Sequence, residues 1–386
     1  MNKKKKLMII FGTRPEAIKM APLVHELKMY KEFEVSVCVT AQHRQMLDQV
    51  LNIFNIKPDF DLDIMKDRQT LMEVTTRALN NLNEVIMEVK PDMVLVHGDT
   101  TTTLVGGIAA LYNKVAVGHV EAGLRTNNKY SPYPEEINRQ LTGVIADLHF
   151  APTKLASHNL LIENKPQDNI FITGNTVIDA QKTTIRNDYV HKVLDEISGL
   201  RLILMTAHRR ENLGEPMRSM FRAIRRLVEK HKDIAVVYPV HMNPLVREAA
   251  EEVLGDHPRI KLIEPLDVID FHNFMSRSYL ILTDSGGIQE EAPALGKPVL
   301  VLRDTTERPE GIEAGTLKLA GTKEEVIFKL TDDLLSNKDS YLKMSHSVNP
   351  YGDGEASRRI AEGILYYFGF RTSRPVDFKE ELVGKY

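Results

Sequence analysis

The chain has 386 residues, 42% of them hydrophobic and 27% charged, enough apolar content for the cores of about two or three domains and too much for a disordered chain. Fifty Lys and Arg against 53 Asp and Glu leave a net charge of -3, so no basic excess supports wholesale phosphate-backbone contacts, and no nucleic-acid partner is expected. The single cysteine, Cys38, rules out an internal disulfide and a Cys-rich zinc site; inside the strand-like run EVSVCVT it reads as a buried, inert thiol of a reducing compartment.

In chain order, Lys3–Lys6 followed by Leu7–Phe11 resembles the start of a signal peptide, but the apolar run ends after five residues at Gly12-Thr13-Arg14-Pro15-Glu16. No stretch of about 18 apolar residues occurs, so no membrane partner is expected and the expected location is the cytoplasm. Strands are predicted at Leu7–Phe11, Glu34–Thr40, Met93–His97, Val115–Val120, Leu148–Ala151 and Ile170–Thr173. Helical patterns lie between them at Ala17–Met29, Thr70–Lys90 and Thr101–Tyr112. The second half repeats the scheme with strands at Leu202–Thr206, Ile234–Val240, Ile260–Ile263, Leu280–Thr283 and Val299–Leu302. Near-continuous apolar strands alternating with helices predict an α/β protein of doubly wound, Rossmann-like parallel sheets. Eleven strands suit two sheets in two domains, with a boundary between Gly174 and Gly199 and a last helix over Glu355–Phe368.

Ligands of open parallel sheets bind beyond the carboxyl ends of the strands, and the residues found there are polar. The first strand leads into Arg14 and a helix with Lys19, Met93–His97 leads into Gly98-Asp99 and four threonines, and Val115–Val120 leads into Glu121 and Arg125. Plainer roles compete: Asp99 as a helix cap, and Arg14 as a partner of Glu16. Pro134 is expected in a first helical turn, where Glu135 and Glu136 suit the helix dipole. Leu202–Thr206 runs into His208-Arg209-Arg210, which suits an anion or a solvated basic turn alike, and Ile234–Val240 ends in His241. Leu280–Thr283 is followed by Asp284-Ser285-Gly286-Gly287, small residues that let a diphosphate approach backbone N–H groups at a helix start. Glu291, one turn beyond Gly287, is placed to accept from ribose hydroxyls, and Arg303 and Arg308 come next near the same edge. Neither a Walker A loop nor G-x-G-x-x-G is present, and the thirteen histidines show no metal-ligand spacing, so no metal is expected.

Taken together, FGTRPEAIKMAPL, VHGDTTTT, GHVEAGLRT, SPYPEEINRQ, TAHRRENLGEP and DSGGIQEEAPALGKPVLVLRDTTERPEG resemble the bacterial non-hydrolysing UDP-N-acetylglucosamine 2-epimerases, from about Leu7 to the terminal helix. The resemblance implies a glycosyltransferase-B fold: Rossmann-like domains at 1–175 and 176–354 facing a nucleotide-sugar cleft, with a terminal segment from about 355 returning to the first. It implies interconversion of UDP-GlcNAc and UDP-ManNAc without a cofactor, release and recapture of UDP, a homodimer, and supply of ManNAc units to cell-surface polysaccharides. Positions matching catalytic ones are Asp99, Glu121, Glu135 and His208. Those matching substrate contacts are Arg14, Lys19, Asp99, Glu121, His208, Phe271, Ser285, Gly286, Gly287, Glu291 and Arg308. A regulatory second UDP-GlcNAc site is implied at Gln42, Gln45, Arg68, Glu135, Arg209 and His241. One departure is Leu266, where some relatives carry glutamine. A glycosyltransferase of the same fold, a hydrolysing epimerase and a catalytically silent nucleotide-sugar sensor remain as alternative readings.

Overall fold

A computed structural model of the protein describes residues 3–41, 44–66 and 69–379. The described chain divides into two compact units, one built from residues up to Thr183 together with Gly352–Lys379, the other from Thr184–Tyr351.

The first unit runs β1 (Lys5–Phe11), α1 (Arg14–Lys28), β2 (Phe33–Val39), α2 (Arg44–Ile53), β3 (Phe60–Asp61), α3 (Leu71–Val89), β4 (Met93–His97) and α4 (Thr101–Tyr112). It continues through β5 (Ala116–Val120), α5 (Glu135–Ile145), β6 (Leu148–Ala151), α6 (Lys154–Ile162), β7 (Ile170–Ile172) and α7 (Thr176–Thr184). The strands form one parallel sheet in the order β3-β2-β1-β4-β5-β6-β7, so the winding reverses at β1 and β4. All five residues of β4 are buried, as a strand covered by helices on both faces requires. One face is closed by Met8, Ile10 and Val94 packed with Ala78, Leu82, Ala109 and Ala110 of α3 and α4. Gly12 comes after β1 without a side chain because a Cβ there would stand 2.0 Å from Thr40 Oγ1.

The second unit runs α8 (Lys192–Glu196), β8 (Arg201–Thr206), α9 (Glu215–Lys230), β9 (Ile234–Pro239), α10 (Pro244–Leu254), β10 (Ile260–Ile263), α11 (Val268–Arg277) and β11 (Leu280–Thr283). Then come α12 (Gly286–Ala294), β12 (Val299–Val301), α13 (Pro309–Glu313), β13 (Leu317–Leu319), α14 (Glu324–Ser336) and α15 (Lys338–Ser345). Its parallel sheet has the order β10-β9-β8-β11-β12-β13, with the reversal at β8 and β11. Apolar clusters cover both faces, one around Phe221, Ile224 and Tyr238, the other around Phe274, Ile281 and Val299.

Each sheet has one edge strand more than the eleven-strand reading, Phe60–Asp61 and Leu317–Leu319, both too short to show a period in sequence. Pro134 is not inside the first turn of its helix: α5 starts at Glu135, and Pro134 is the residue before it. Helix α7 sits with the first unit, because the Asp179 carboxylate accepts from the backbone N–H of Ala356 (3.1 Å) and Ser357 (2.6 Å). Those bonds anchor the start of α16 (Ala356–Tyr367), which packs against α1. No described helix is long and apolar enough to cross a membrane.

Candidate active site

In each unit the polar residues gather where the strand order reverses, the place that open parallel sheets use for ligands. In the first unit Glu16, 2% exposed, ties two strand-end loops together. Its Oε2 accepts from the N–H groups of Gly12 (3.0 Å) and Thr13 (2.8 Å), and its Oε1 from the hydroxyls of Thr100 (2.7 Å) and Thr103 (3.2 Å). The suggested Arg14–Glu16 pair is therefore not formed; Arg14 is exposed at the first position of α1. Thr100 caps α4 by accepting from Thr103 N–H at 3.1 Å, so the capping role weighed for Asp99 falls to its neighbour.

Asp99 instead pairs with Arg139 of α5, and Asn138 Nδ2 donates to the Asp99 carbonyl at 3.0 Å. Arg139 also lies 3.4 Å from Glu136, which is fully buried and accepts from the N–H groups of Thr126 and Asn127 at 3.0 Å each. Glu136 thus braces the loop before α5, whereas Glu135 makes no side-chain hydrogen bond or ion pair among the described residues. Glu121 comes directly after β5 with φ of 60°, a left-handed backbone uncommon for a residue with a side chain. Lys19 Nζ pairs with its Oε2, Asn175 Nδ2 donates to the same oxygen at 2.8 Å, and His97 Nε2 stands 3.6 Å from it. Burial works against the Glu121 charge, but Lys19 and His97 outweigh it and hold the carboxyl well below its usual range. Arg125 is not part of this group: its guanidinium is 3% exposed and held by Glu163 at 2.6 and 2.8 Å.

In the second unit the buried Asp284 organises the strand ends. Its Oδ2 accepts from the N–H groups of His208 and Arg209 at 2.8 Å each, and His208 Nδ1 lies 3.1 Å from Oδ1. Burial opposes the Asp284 charge, but His208 and these N–H groups overcome it and lower the carboxyl. The His208 ring stacks on His241, with centroids 5.4 Å apart. Helix α12 opens at Gly286 with no acidic residue in its first turn and no side-chain cap from Ser285. A Cβ at Gly286 would meet nothing within 4 Å, so the helix start is open and its N–H dipoles suit an anion. Glu291, one turn in, faces His272 Nε2 at 3.0 Å, and His272 Nδ1 is held by Thr184 Oγ1 at 2.6 Å. Arg308 pairs with the buried Glu290, Arg303 is held by Glu307, and Phe271 packs half-buried on α11 beside the sheet core.

Of the residues singled out in sequence, Lys19 and Glu121 meet directly, as do His208 and His241. Gln42, Arg68 and the Gln45 side chain lie outside the described residues. Sequence reasoning missed His97, Asn175, Asp284 and His272. The first three end a strand or stand within three residues of a strand end, so the closing residues of each strand carry a signal as well as the loop charges beyond them. His272 sits inside a helix and carried no such signal.

Two Rossmann-like parallel units, one with carboxylates at its switch point and the other with an open helix start, place the protein in the glycosyltransferase-B class. The UDP-N-acetylglucosamine 2-epimerase family profile matches residues 25–365, and the chain belongs to that family. A UDP-N-acetylglucosamine 2-epimerase of Bacillus subtilis is 67% identical over 376 residues, covering 97% of this chain and 99% of its own. The crystal structure of a Listeria monocytogenes protein described as a UDP-N-acetylglucosamine 2-epimerase superposes with a TM-score of 0.93 at 62% identity, over 97% of this chain and 100% of that one. A Neisseria meningitidis UDP-GlcNAc 2-epimerase, solved bound to UDP-GlcNAc, gives a TM-score of 0.85 at 49% identity, over 94% of this chain and 100% of that one.

Proposed function

We propose that the protein interconverts UDP-N-acetylglucosamine and UDP-N-acetylmannosamine by elimination and re-addition of UDP. The observation that carries this reading is the pair of chemistries at the two switch points. An ionised, lysine-paired Glu121 comes directly after a strand of one unit, and an open helix start with Glu291 one turn in comes after a strand of the other.

The C2 proton of the sugar is not adjacent to a carbonyl, so simple deprotonation is too slow. A carboxylate takes that proton while the C–H electron pair forms the C1=C2 bond and the C1–O bond breaks, its electrons leaving with UDP. The product pair is 2-acetamidoglucal and UDP. Proton delivery to the opposite face of C2 and return of UDP to C1 complete the inversion. Asp99, Glu121 and Glu135 are assigned to the proton transfers, with Arg14 and Lys19 supplying positive charge to the substrate. His208, Arg308 and the Ser285-Gly286-Gly287 helix start are assigned to the departing diphosphate, and Phe271 and Glu291 to the nucleoside. No step calls for a cofactor. The family setting supports a cytoplasmic homodimer that supplies ManNAc units for cell-surface polysaccharide.

Incubation with UDP-GlcNAc alone tests the reading by product chromatography. UDP-ManNAc is the expected product. Free ManNAc with UDP identifies a hydrolysing enzyme, and inertness without an acceptor identifies a transferase or a sensor.

Glu291→Ala is expected to weaken UDP binding about 10–100-fold, since losing hydrogen bonds to a charged group costs about 1.5–3 kcal/mol. His272, itself held by Thr184, fixes the Glu291 carboxylate, so the change removes a preset acceptor. Calorimetry with UDP measures it; unchanged affinity takes Glu291 out of the site.

A second UDP-GlcNAc is assigned to Gln42, Gln45, Arg68, Glu135, Arg209 and His241, where it activates the reverse reaction. The stack of His241 on His208 supports such coupling, because a ligand that moves one ring moves the other. UDP-ManNAc alone is expected to react poorly until a little UDP-GlcNAc is added. Arg209→Ala and His241→Ala should blunt this activation, worth about 1–3 kcal/mol of coupling, more than they weaken UDP binding. Hyperbolic reverse kinetics with no UDP-GlcNAc requirement would remove the regulatory site.

A further inference from the structure

Glu121 is held from one side only. Lys19 Nζ, Asn175 Nδ2 and His97 Nε2 all approach Oε2, the last two at 2.8 and 3.6 Å, and no described residue donates to Oε1. Beside Oε1 lies Gly98, where even a Cβ would stand 3.7 Å away. The carboxylate therefore has one oxygen fixed by the protein and one to which no described residue donates.

His97 is the member of this group with no ordinary explanation. The residue is 3% exposed, and neither ring nitrogen has a hydrogen-bond partner among the described residues. A buried polar atom left unpaired is destabilising, and a ring with two such atoms beside a carboxylate is a poor choice for packing alone. Its backbone is fixed, since the His97 carbonyl accepts from Thr103 Oγ1, whose hydroxyl also lies beside Glu16. The 3.6 Å approach is longer than a hydrogen bond, and closing it by roughly 0.5 Å makes one.

We propose that His97 is a positioning residue for Glu121: its Nε2 engages Oε2 and fixes Oε1 as the oxygen presented to the reacting sugar. The inference rests on the reading of Glu121 as a carboxylate that acts on the substrate. Other charged or titratable groups around His97 are Lys19 and Glu16 of α1 and His119 of β5, with Asp99 two residues along and paired to Arg139. Lys19 stays on Oε2 when His97 is replaced, so the carboxylate keeps one cation and loses one donor.

The test is steady-state epimerisation of UDP-GlcNAc by the full chain, across pH, in His97→Asn and His97→Gln. The glutamine amide nitrogen falls near the Nε2 position and restores a donor there; the asparagine amide is too short to reach it. Expected for His97→Asn is a loss of about tenfold or more in kcat, with KM and UDP affinity within about threefold of the parent protein. His97→Gln should recover most of the rate, and the acid limb of His97→Asn should lie about one pH unit or more above that of His97→Gln. A His97→Asn rate within about twofold of the parent, or equal impairment of the two variants, overturns the proposal in favour of packing. An independent check needs neither variant: the ring 15N signals of His97 should move in Glu121→Gln, and unmoved signals overturn the proposal. Full activity in Glu121→Gln would instead remove the reading of Glu121 on which the inference rests.

Discussion

Glu121→Gln, Asp99→Asn and Glu135→Gln are each expected to cut epimerase turnover by about 10²–10⁴-fold, the usual contribution of a general acid or base. The three losses should differ in kind. At Glu121 a neutral amide replaces a carboxylate that two cationic or proton-donating neighbours keep ionised, so the negative charge that Lys19 pairs with is lost. At Asp99 the change frees Arg139, which is 9% exposed and is otherwise held by the buried Glu136 at 3.4 Å. Glu135 has no protein partner to lose among the described residues, so its variant should keep native stability and lose rate alone. Steady-state assays beside thermal unfolding separate these cases. Near-normal turnover in all three variants contradicts the carboxylate mechanism.

Acid is expected to destabilise the first unit well before its carboxylates are protonated. His119 is fully buried, with Nε2 on the Gly98 carbonyl at 2.7 Å, and His149 is 1% exposed on the neighbouring strand. Burial lowers His119 to about 3, only partly offset by that carbonyl. Burial also lowers His149 to about 4, with Lys165 and Arg125 adding to the shift. In the unfolded chain both titrate near 6.5, so below that pH the unfolded state binds protons that the folded state refuses. Their stabilisation is complete above about pH 6.5 and falls as the pH drops from there to the folded values, by about 1.4 kcal/mol per unit and per histidine. At pH 5 the combined loss is about 4 kcal/mol, a large part of the roughly 5–15 kcal/mol that holds a domain folded. Urea unfolding at pH 7 and pH 5 measures it, and His149→Gln should remove about half of the pH dependence. Equal stability at the two pH values contradicts the buried-histidine account.

Most of the fold was legible because parallel strands covered on both faces write their burial as unbroken apolar runs. MVLVH and LILT, buried at every position, are visible without any partner. The edge strands Phe60–Asp61 and Leu317–Leu319 were not legible, since two or three residues carry no period and their pairing is set by the strand alongside. Cys38 behaves as its apolar run indicates: it is fully buried, and that burial, with Asp61, pushes its thiol up to about 12. In the site, strand-end position pointed to Glu121 and Asp99, but it could not tell Arg14, exposed at a helix start, from Arg125, taken up by Glu163. That difference depends on Glu163, at the far end of α6, and contacts of such long sequence separation leave no local signature. Strand-end position marks His97 and Asn175 as candidates, but not their role, which comes from sharing Glu121 across a long sequence separation.

The central claim is that the C2 proton leaves and returns through a glycal, with exchangeable groups on the protein carrying it. The most direct measurement is NMR of the reaction mixture after UDP-GlcNAc alone is incubated in D2O. The account predicts UDP-ManNAc with deuterium at C2, and, as equilibrium is approached, deuterium at C2 of the remaining UDP-GlcNAc as well. UDP-ManNAc that keeps its original C2 proton would contradict it.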